Sequence, residues 1–137
     1  MKDLVKKAKL DDKFYIASRA TSIEELGNDM HHGTKNELRK HGIEFSPRHA
    51  TQITKDDYTN FDLLVCMDEN NICNLTRIIG DDKDKKVYLL LEFCHYENEK
   101  KMANLQIADP WYSGDFARTF AEISQGCKAL FDKFTNL

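Results

Sequence analysis

The fold is decided by Phe61-Asp62-Leu63-Leu64-Val65-Cys66-Met67-Asp68. Positions 63–67 form a continuous apolar run, which is typical of a strand covered on both faces of a parallel sheet. Asp68 then predicts the N-cap of a helix, because its side chain can accept a hydrogen bond from a free backbone amide. Apolar residues continue at helical spacing, at positions 72, 75, 78 and 79, until Gly80. The stretch therefore predicts a buried strand followed by a helix.

Short apolar strands alternate with helices along the rest of the chain. Residues 14–18 and 87–91 predict two more buried strands. Helices are predicted over residues 2–9, from a capping box at Thr34 to Gly42, after Thr54, and along 116–134. This alternation predicts an α/β fold, a three-layer α/β/α sandwich with a parallel sheet.

The composition is that of an ordinary globular protein. The 137 residues predict one domain spanning 1–137, and their net charge of -3 gives no general attraction to nucleic acid. No apolar run reaches membrane-spanning length, and the charged start lacks the apolar stretch of a signal peptide. We therefore expect a cytoplasmic protein with no nucleic acid or membrane partner. The four cysteines form no Cys-x-x-Cys pair, which predicts reduced thiols and no metal site.

One carboxyl stands beside two aromatic rings in the acid loop, our name for Ile107-Ala108-Asp109-Pro110-Trp111-Tyr112-Ser113-Gly114-Asp115-Phe116. Pro110 fixes the backbone after Asp109, and we expect Trp111 and Tyr112 to shield the carboxyl from water and so keep a proton on it. A protonated carboxyl is what protonation of a phosphoester leaving group requires. The alternative is a surface turn followed by a helix N-cap at Asp115.

Five stretches, in a common order and spacing, together resemble the low-molecular-weight protein tyrosine phosphatase family over essentially the whole chain. They are residues 18–22, residues 34–43 ending in His-Gly-Ile, residues 50–57, residues 61–71, and the Asp-Pro-Trp-Tyr-x-Gly-Asp-Phe of 109–116. The resemblance implies the phosphotyrosine protein phosphatase I-like fold. It also implies hydrolysis of phosphotyrosine proteins or small aryl phosphates through a phosphocysteine intermediate, without a metal or cofactor.

The resemblance gives five residues a role. Asp109 matches the general acid toward the tyrosine oxygen, which then serves as general base toward water. Trp111 and Tyr112 match the aromatic wall of the substrate crevice, and the alternative is that they pack the loop. Asp68 and Ser22 match residues that support the phosphate loop, and their alternatives are an N-cap for Asp68 and a simple turn for Ser22.

The chain departs from the family at the nucleophile. Family members carry a first strand and a Cys-x5-Arg-Ser loop, whose thiolate attacks phosphorus while the arginine holds the phosphate. The residues six positions after Cys66, Cys73, Cys94 and Cys127 are Ile72, Ile79, Lys100 and Lys133. No cysteine of this sequence has the required arginine, and a lysine does not offer the same two-pronged fit to phosphate oxygens. We therefore expect the chain as written to be inactive.

The missing segment bears on the sheet as well. Met1 aligns with the middle of the family's first helix, so we expect a sequence that begins at an internal methionine rather than a chain that has lost its site. In the family the first strand lies between the strands that hold Tyr15 and Val65. Its absence predicts two unpaired strand edges and self-association through them.

Two other functions stay open. One is a non-catalytic phosphatase-like module that binds phosphotyrosine sites or partner surfaces, and a weaker one is an arsenate reductase-like activity on the same fold. His31 and His32 lie on a polar loop near the expected crevice, and we predict that both are exposed and non-catalytic.

Overall fold

The computed structural model describes residues 1–24, 26–96 and 105–135. Its elements in chain order are α1 (Lys2–Lys7), α2 (His32–Lys40), α3 (Lys55–Asn60), β1 (Leu64–Cys66), α4 (Glu69–Ile79), β2 (Val87–Leu89), a 3₁₀ helix (Leu90–Tyr96), α5 (Pro110–Ser113) and α6 (Phe116–Thr135). Helices alternate with strands that pair in parallel, so the predicted α/β fold is confirmed.

β1 and β2 are the strands that the sequence predicts from its apolar runs. Leu64 aligns with Val87, and Cys66 aligns with Leu89, in a parallel register. β2 stops two residues before its predicted end, because the chain enters the 3₁₀ helix at Leu90. The Leu89 amide donates to the Glu92 carboxylate at 3.0 Å, which closes this turn.

α4 begins and ends where the sequence predicts. The Asn71 amide donates to Asp68 Oδ1 at 2.8 Å, so Asp68 is the N-cap. Gly80 ends the helix with φ 78, a conformation that favours glycine. Leu75, only 1% exposed, packs its inner face against the buried side chains of β1 and β2. The strand, cap and helix predicted from residues 61–80 are therefore confirmed.

α6 packs against the 3₁₀ helix to form the larger core. Gly126 permits the close approach, because a Cβ added there would lie 2.6 Å from Leu90 Cγ. The buried side chains of this cluster include those of Leu90, Leu91, Phe93, Ile107, Cys127 and Leu130. Cys66 and Cys127 are both buried.

A polar turn held by Asp82 leads into β2. Its carboxylate accepts hydrogen bonds from the Tyr58 hydroxyl at 2.7 Å, the Lys86 amide at 2.8 Å and the Val87 amide at 3.0 Å. Burial raises the pKa of Asp82, but the three hydrogen bonds and the Lys86 charge together hold that pKa below its usual value. The turn thereby fixes where Val87 enters the sheet.

The strand predicted at residues 14–18 is wrong, because this segment forms no regular strand. Tyr15 is 81% exposed, although its ring stacks on Phe61 with centroids 5.7 Å apart. A strand needs a neighbour with free backbone groups, and within the described residues β1 pairs with β2 alone. Isolated parallel bridges join Ala20 to Gln52 and Leu26 to Ala50. The apolar pattern of residues 14–18 is that of a strand, but the described residues provide no neighbouring strand with which this segment pairs.

α2 begins two residues before the capping box predicted at Thr34, and that prediction is wrong. His31 is the N-cap, and its Nδ1 accepts a hydrogen bond from the Gly33 amide at 3.0 Å. Thr34 therefore lies inside the first turn, because the histidine supplies an acceptor earlier in the chain. The helix expected after Thr54 is α3, and Thr54 does form a capping box there.

The two terminal helices lie at their predicted positions, although α1 ends at Lys7, two residues before its predicted end. α1 follows Met1, which makes no side-chain cap, and α6 extends over the long amphipathic segment. None of the helices in residues 1–24, 26–96 and 105–135 combines the length and the apolar character that a membrane span needs.

Candidate acid site at the end of the sheet

Asp109 caps the short helix α5 within the acid loop. Its Oδ1 accepts a hydrogen bond from the Trp111 amide at 2.9 Å. Pro110 occupies the first helical position, where its fixed φ and missing N–H cost nothing. Gly114 ends α5 in the left-handed region, with φ 71. The local sequence Asp-Pro-x-x-x-Gly therefore dictates the shape of the loop around the carboxyl.

Two hydrogen bonds anchor the chain just before Asp109. The Ile107 amide donates to the Met67 carbonyl at 2.9 Å, directly after the carboxyl end of β1. The hydroxyl of Thr119, a buried residue of α6, donates to the Ala108 carbonyl at 2.9 Å. Together they place Asp109 at the carboxyl end of a parallel strand, where open α/β sheets bind their ligands.

The C-terminal end of the acid loop is capped too. Asp115 Oδ1 accepts a hydrogen bond from the Arg118 amide at 3.0 Å, and the Asp115 amide donates to Ser113 Oγ at 3.1 Å. The helix N-cap at Asp115, offered as the alternative to an acid loop, is therefore present. The two interpretations are compatible, because one aspartate begins α5 and the other begins α6.

The aromatic rings leave the carboxyl open to water. Asp109 is exposed, Trp111 is 65% exposed and Tyr112 is 86% exposed. The expectation that these rings shield the carboxyl is therefore wrong for this structure. The α5 turn directs both side chains outward, because a four-residue helix at the surface has little to pack them against. Both rings keep exposed surface on which a flat ligand ring can stack.

His31 links the start of α2 to the acid loop, which the sequence does not predict. Its ring meets the Trp111 ring edge-on, with centroids 5.5 Å apart and an interplanar angle of 85°. It also stacks on Phe116 at 5.2 Å and 15°, and lies 4.2 Å from the His32 ring. Both histidines are exposed, as predicted. Their contacts depend on how α2 packs on α6, and no local sequence signal reports that packing.

Asp68 and Ser22 are less closely tied to the carboxyl of Asp109. Asp68 is the N-cap of α4, so its alternative role is confirmed. The neighbouring Glu69 amide donates to Gln106 Oε1 at 3.1 Å, which ties this end of α4 to the residues before the acid loop. Ser22 lies exposed in the loop that follows Ala20. The structure thus places Asp68, and not Ser22, in an element bonded to the approach of the acid loop.

A groove of about 630 Å³ opens beside Pro110. Much of its wall is apolar, although charged residues also line it. Its lining includes side chains from α1, α2, α6 and the segment around residue 17, among them Leu4, Ile16, Leu38, Phe120, Ile123 and Cys127. The groove is thus continuous with the first residues of α5, next to the candidate acid.

The cysteines do not resemble activated nucleophiles. Cys66, Cys94 and Cys127 are buried, and Cys73 is exposed. Burial, followed by the nearby Asp68 carboxylate, raises the pKa of the Cys66 thiol to about 11, which disfavours the thiolate. In the parts of the chain that the structure describes, no three His, Cys, Asp or Glu side chains are grouped to hold a metal ion.

The fold and the loop together define the class: an α/β protein with a candidate acid–base site at the carboxyl end of its parallel strands. Comparison with known proteins then identifies the family. The family profile described as low molecular weight phosphotyrosine protein phosphatase matches residues 1–136. The chain belongs to the low-molecular-weight phosphotyrosine protein phosphatase family.

Individual relatives agree with this assignment. The low molecular weight phosphotyrosine protein phosphatase of Gallus gallus is 36% identical over 132 residues, which are 95% of this chain and 80% of that protein. The Bacillus subtilis phosphatase YfkJ is 31% identical over 129 residues, covering 94% of this chain and 80% of its own length.

Solved structures share the fold. The crystal structure of YfkJ superimposes with a TM-score of 0.89 at 28% identity, over 98% of this chain and 82% of that one. The Streptococcus pyogenes phosphatase SP-PTP gives a TM-score of 0.79 at 31% identity, over 96% of this chain and 80% of that one. The order of helices and strands described above is therefore the order of a known phosphatase fold.

Proposed function

We propose that this chain provides the acid side of phosphotyrosine or aryl phosphate hydrolysis, with Asp109 as general acid. The observation that carries the proposal is the double anchoring of the acid loop. The Met67 carbonyl and the Thr119 hydroxyl hold residues 107 and 108, so the next residue, Asp109, stays at the end of β1. Its exposed carboxyl is accessible to the oxygen of a bound ester.

The reaction follows from the chemistry of the family. A thiolate attacks phosphorus, the bond from phosphorus to the aryl oxygen breaks, and protonated Asp109 gives its proton to that oxygen. In the second step the Asp109 carboxylate takes a proton from water as the water attacks the phosphocysteine; the phosphorus–sulfur bond breaks, and phosphate and the cysteine thiolate are released. The exposed rings of Trp111 and Tyr112 stack the aryl group during the first step, until the aryl alcohol leaves. These steps need neither a metal nor a cofactor.

We also propose that these residues do not hydrolyse phosphate esters by themselves. A nucleophilic thiolate needs a lowered pKa and donors that hold the phosphate oxygens. The sequence contains no Cys-x5-Arg motif, and the Cys66 pKa is raised rather than lowered. Asp109 can complete a reaction only after a nucleophile has begun it.

The test compares para-nitrophenyl phosphate hydrolysis by the 137-residue protein and by a version extended with a family opening that carries Cys-x5-Arg. In the extended protein, Asp109→Ala should lower kcat by about 10²–10⁴-fold, and more for poor leaving groups than for good ones. Asp115→Ala is the matched control, since that carboxyl caps α6 in the same loop. An equal loss of kcat for all leaving groups would reject Asp109 as the general acid. Vanadate-sensitive turnover by the 137-residue protein would reject the proposal that its residues include no nucleophile.

A non-catalytic binding module is the second candidate, and the exposed rings of Trp111 and Tyr112 favour it. Such a module would bind a phosphotyrosyl ring without cleaving it. Titration of phosphotyrosine and of tyrosine into the 137-residue protein, followed by Trp111 fluorescence, separates the two ideas. The module is favoured if phosphotyrosine binds saturably while Asp109→Ala fails to lower kcat of the extended protein by about 10²–10⁴-fold. The arsenate reductase-like alternative needs paired reactive thiols, and the burial of three of the four cysteines does not favour it.

Self-association is a further part of the proposal. Within the described residues β1 is paired on one edge only, and the neighbouring segment exposes Tyr15. Unpaired edges and exposed apolar surface promote pairing between chains. Light scattering after gel filtration should therefore show species larger than a monomer. A monodisperse monomer that binds no hydrophobic dye would contradict this.

We place the protein in the cytoplasm as a single domain of residues 1–137. Its four cysteines, all within the described residues, form no disulfide, which is the usual state in a reducing compartment. The partners we propose are a phosphotyrosine protein or a small aryl phosphate, and not nucleic acid or a membrane. Fractionation of the cells that produce the protein would test the compartment.

A further inference from the structure

His31 and Gly33 together hold Phe116, the residue at which the acid loop becomes α6. The His31 ring stacks on the Phe116 ring at 5.2 Å. The Gly33 backbone lies so near that a Cβ added there would come within 2.5 Å of the Phe116 ring atoms. Because the same His31 ring meets Trp111 at 5.5 Å, one side chain touches the acid loop at two of its residues.

The position of the His31 ring depends on its protonation. Nδ1 accepts a hydrogen bond from the Gly33 amide at 3.0 Å, so the neutral ring carries its proton on Nε2. A second proton on Nδ1 would replace this hydrogen bond with two donors facing each other. It would also place a positive charge at the N-terminal end of α2, where the helix dipole is already positive.

The groups around the ring do not offset that charge. His31 contacts the ring of His32, a second titratable side chain at the first position of α2, and Asp29 lies nearby in sequence. Asp29 Oδ2 already pairs with Lys35 at 2.8 Å. From α5 and α6 the contacting side chains are the uncharged rings of Trp111 and Phe116.

The two carboxylates of the acid loop accept hydrogen bonds from backbone amides. Asp109 accepts from the Trp111 amide and Asp115 accepts from the Arg118 amide, so each is committed to the first turn of a helix. Neither is drawn towards the His31 ring by a hydrogen bond that the structure shows. Protonation of His31 therefore costs a helix cap without gaining an ion pair.

We propose that His31 is a positioning residue for the acid loop and that a proton on its ring releases Trp111 and Phe116 from it. The inference rests on the proposed function only in one respect, which is that the acid loop carries the general acid Asp109. Histidine is suited to this, because it is the side chain that ordinarily changes its charge between about pH 5 and pH 8. At neutral and higher pH the loop is held; in acid the cap breaks and the loop loosens.

The experiment uses Trp111, the single tryptophan of the chain, as the reporter. Acrylamide quenching of its fluorescence is measured on the 137-residue protein between about pH 5 and pH 8. We expect quenching to rise in one step as the pH falls. His31→Phe keeps a ring but has neither a titratable nitrogen nor the cap acceptor, so quenching should show no step across the range. His31→Asn keeps a cap acceptor but no ring, so quenching should stay high across the range.

His41→Asn is the matched control. His41 also stacks on a phenylalanine of α6, Phe120 at 3.9 Å, but at the other end of α2. This variant should keep the pH step, and far-UV circular dichroism should show that all variants are folded. A step that persists in both His31 variants, or no step in the unmodified protein, would overturn the proposal. Neither outcome touches the hydrolysis test of Asp109, so failure of the two ideas can be told apart.

Discussion

Gly126→Ala tests the packing of α6 on the 3₁₀ helix. In a helix interior the exchange of glycine for alanine normally stabilises by about 0.5–1 kcal/mol. Here the new methyl would lie 2.6, 3.0 and 3.3 Å from Leu90 Cγ, Cδ2 and Cδ1, whereas carbon atoms in contact prefer about 3.5–4.0 Å. Leu90 is 2% exposed and cannot move into solvent. Overpacking of this kind costs about 1–3 kcal/mol, so the net free energy of unfolding should fall by up to about 2.5 kcal/mol.

The assay is urea unfolding followed by circular dichroism, on Gly126→Ala, Leu90→Ala and the double variant. Leu90→Ala removes the side chain that the methyl meets, so Gly126→Ala should be at least about 1 kcal/mol less harmful in that background. Gln125→Ala, at an exposed position next along the helix, is the control and should change little. The reasoning fails if Gly126→Ala stabilises the unmodified protein, or if the two substitutions are additive.

Three further substitutions probe other contacts. Leu75→Ala removes a fully buried side chain from the smaller core and should lower the free energy of unfolding by about 2–5 kcal/mol in the same urea assay. Thr119→Val removes the donor to the Ala108 carbonyl at similar volume; we expect a loss of about 1–3 kcal/mol, together with a more mobile acid loop seen as greater acrylamide quenching. Asp82→Asn changes the response to pH. Because the folded pKa of Asp82 lies below its unfolded value, its carboxylate stabilises the fold above about pH 4 and loses this effect as the pH falls. The variant should be less stable than the unmodified protein at pH of about 7, and the gap should close in acid; a constant gap would contradict the role of that carboxylate.

The parts of the fold that the sequence predicts are those with local signals. The run before Asp68 and the spacing up to Gly80 specify β1, the cap and α4, because each signal lies within a few residues of the structure that it determines. The acid loop shows the same local control, since Asp-Pro begins α5 and Gly114 ends it, although the sequence predicts a loop here and not this short helix. Local structure that depends on a few neighbouring residues can be predicted from those residues.

The errors concern contacts between distant parts of the chain. Residues 14–18 have the composition of a strand, but pairing needs a second backbone that the local sequence does not reveal. His31 caps α2 in place of the Thr34 box, and the neighbouring Gly33 packs against Phe116, far away in the sequence. The exposure of Asp109 likewise depends on what the rest of the molecule leaves uncovered. These features were not predicted because burial and pairing are decided by tertiary structure.

The unequal exposure of the thiols has a practical consequence at the bench. Cys73 is exposed on α4, while the other three cysteines are buried. On storage without a reductant, two molecules can therefore oxidise to a covalent dimer linked through Cys73, and such a dimer would imitate association through strand edges. Size measurements accordingly belong in reducing buffer or on Cys73→Ser. The same asymmetry makes Cys73 a natural attachment point for a maleimide dye, so that one label per molecule is obtained without altering the sequence.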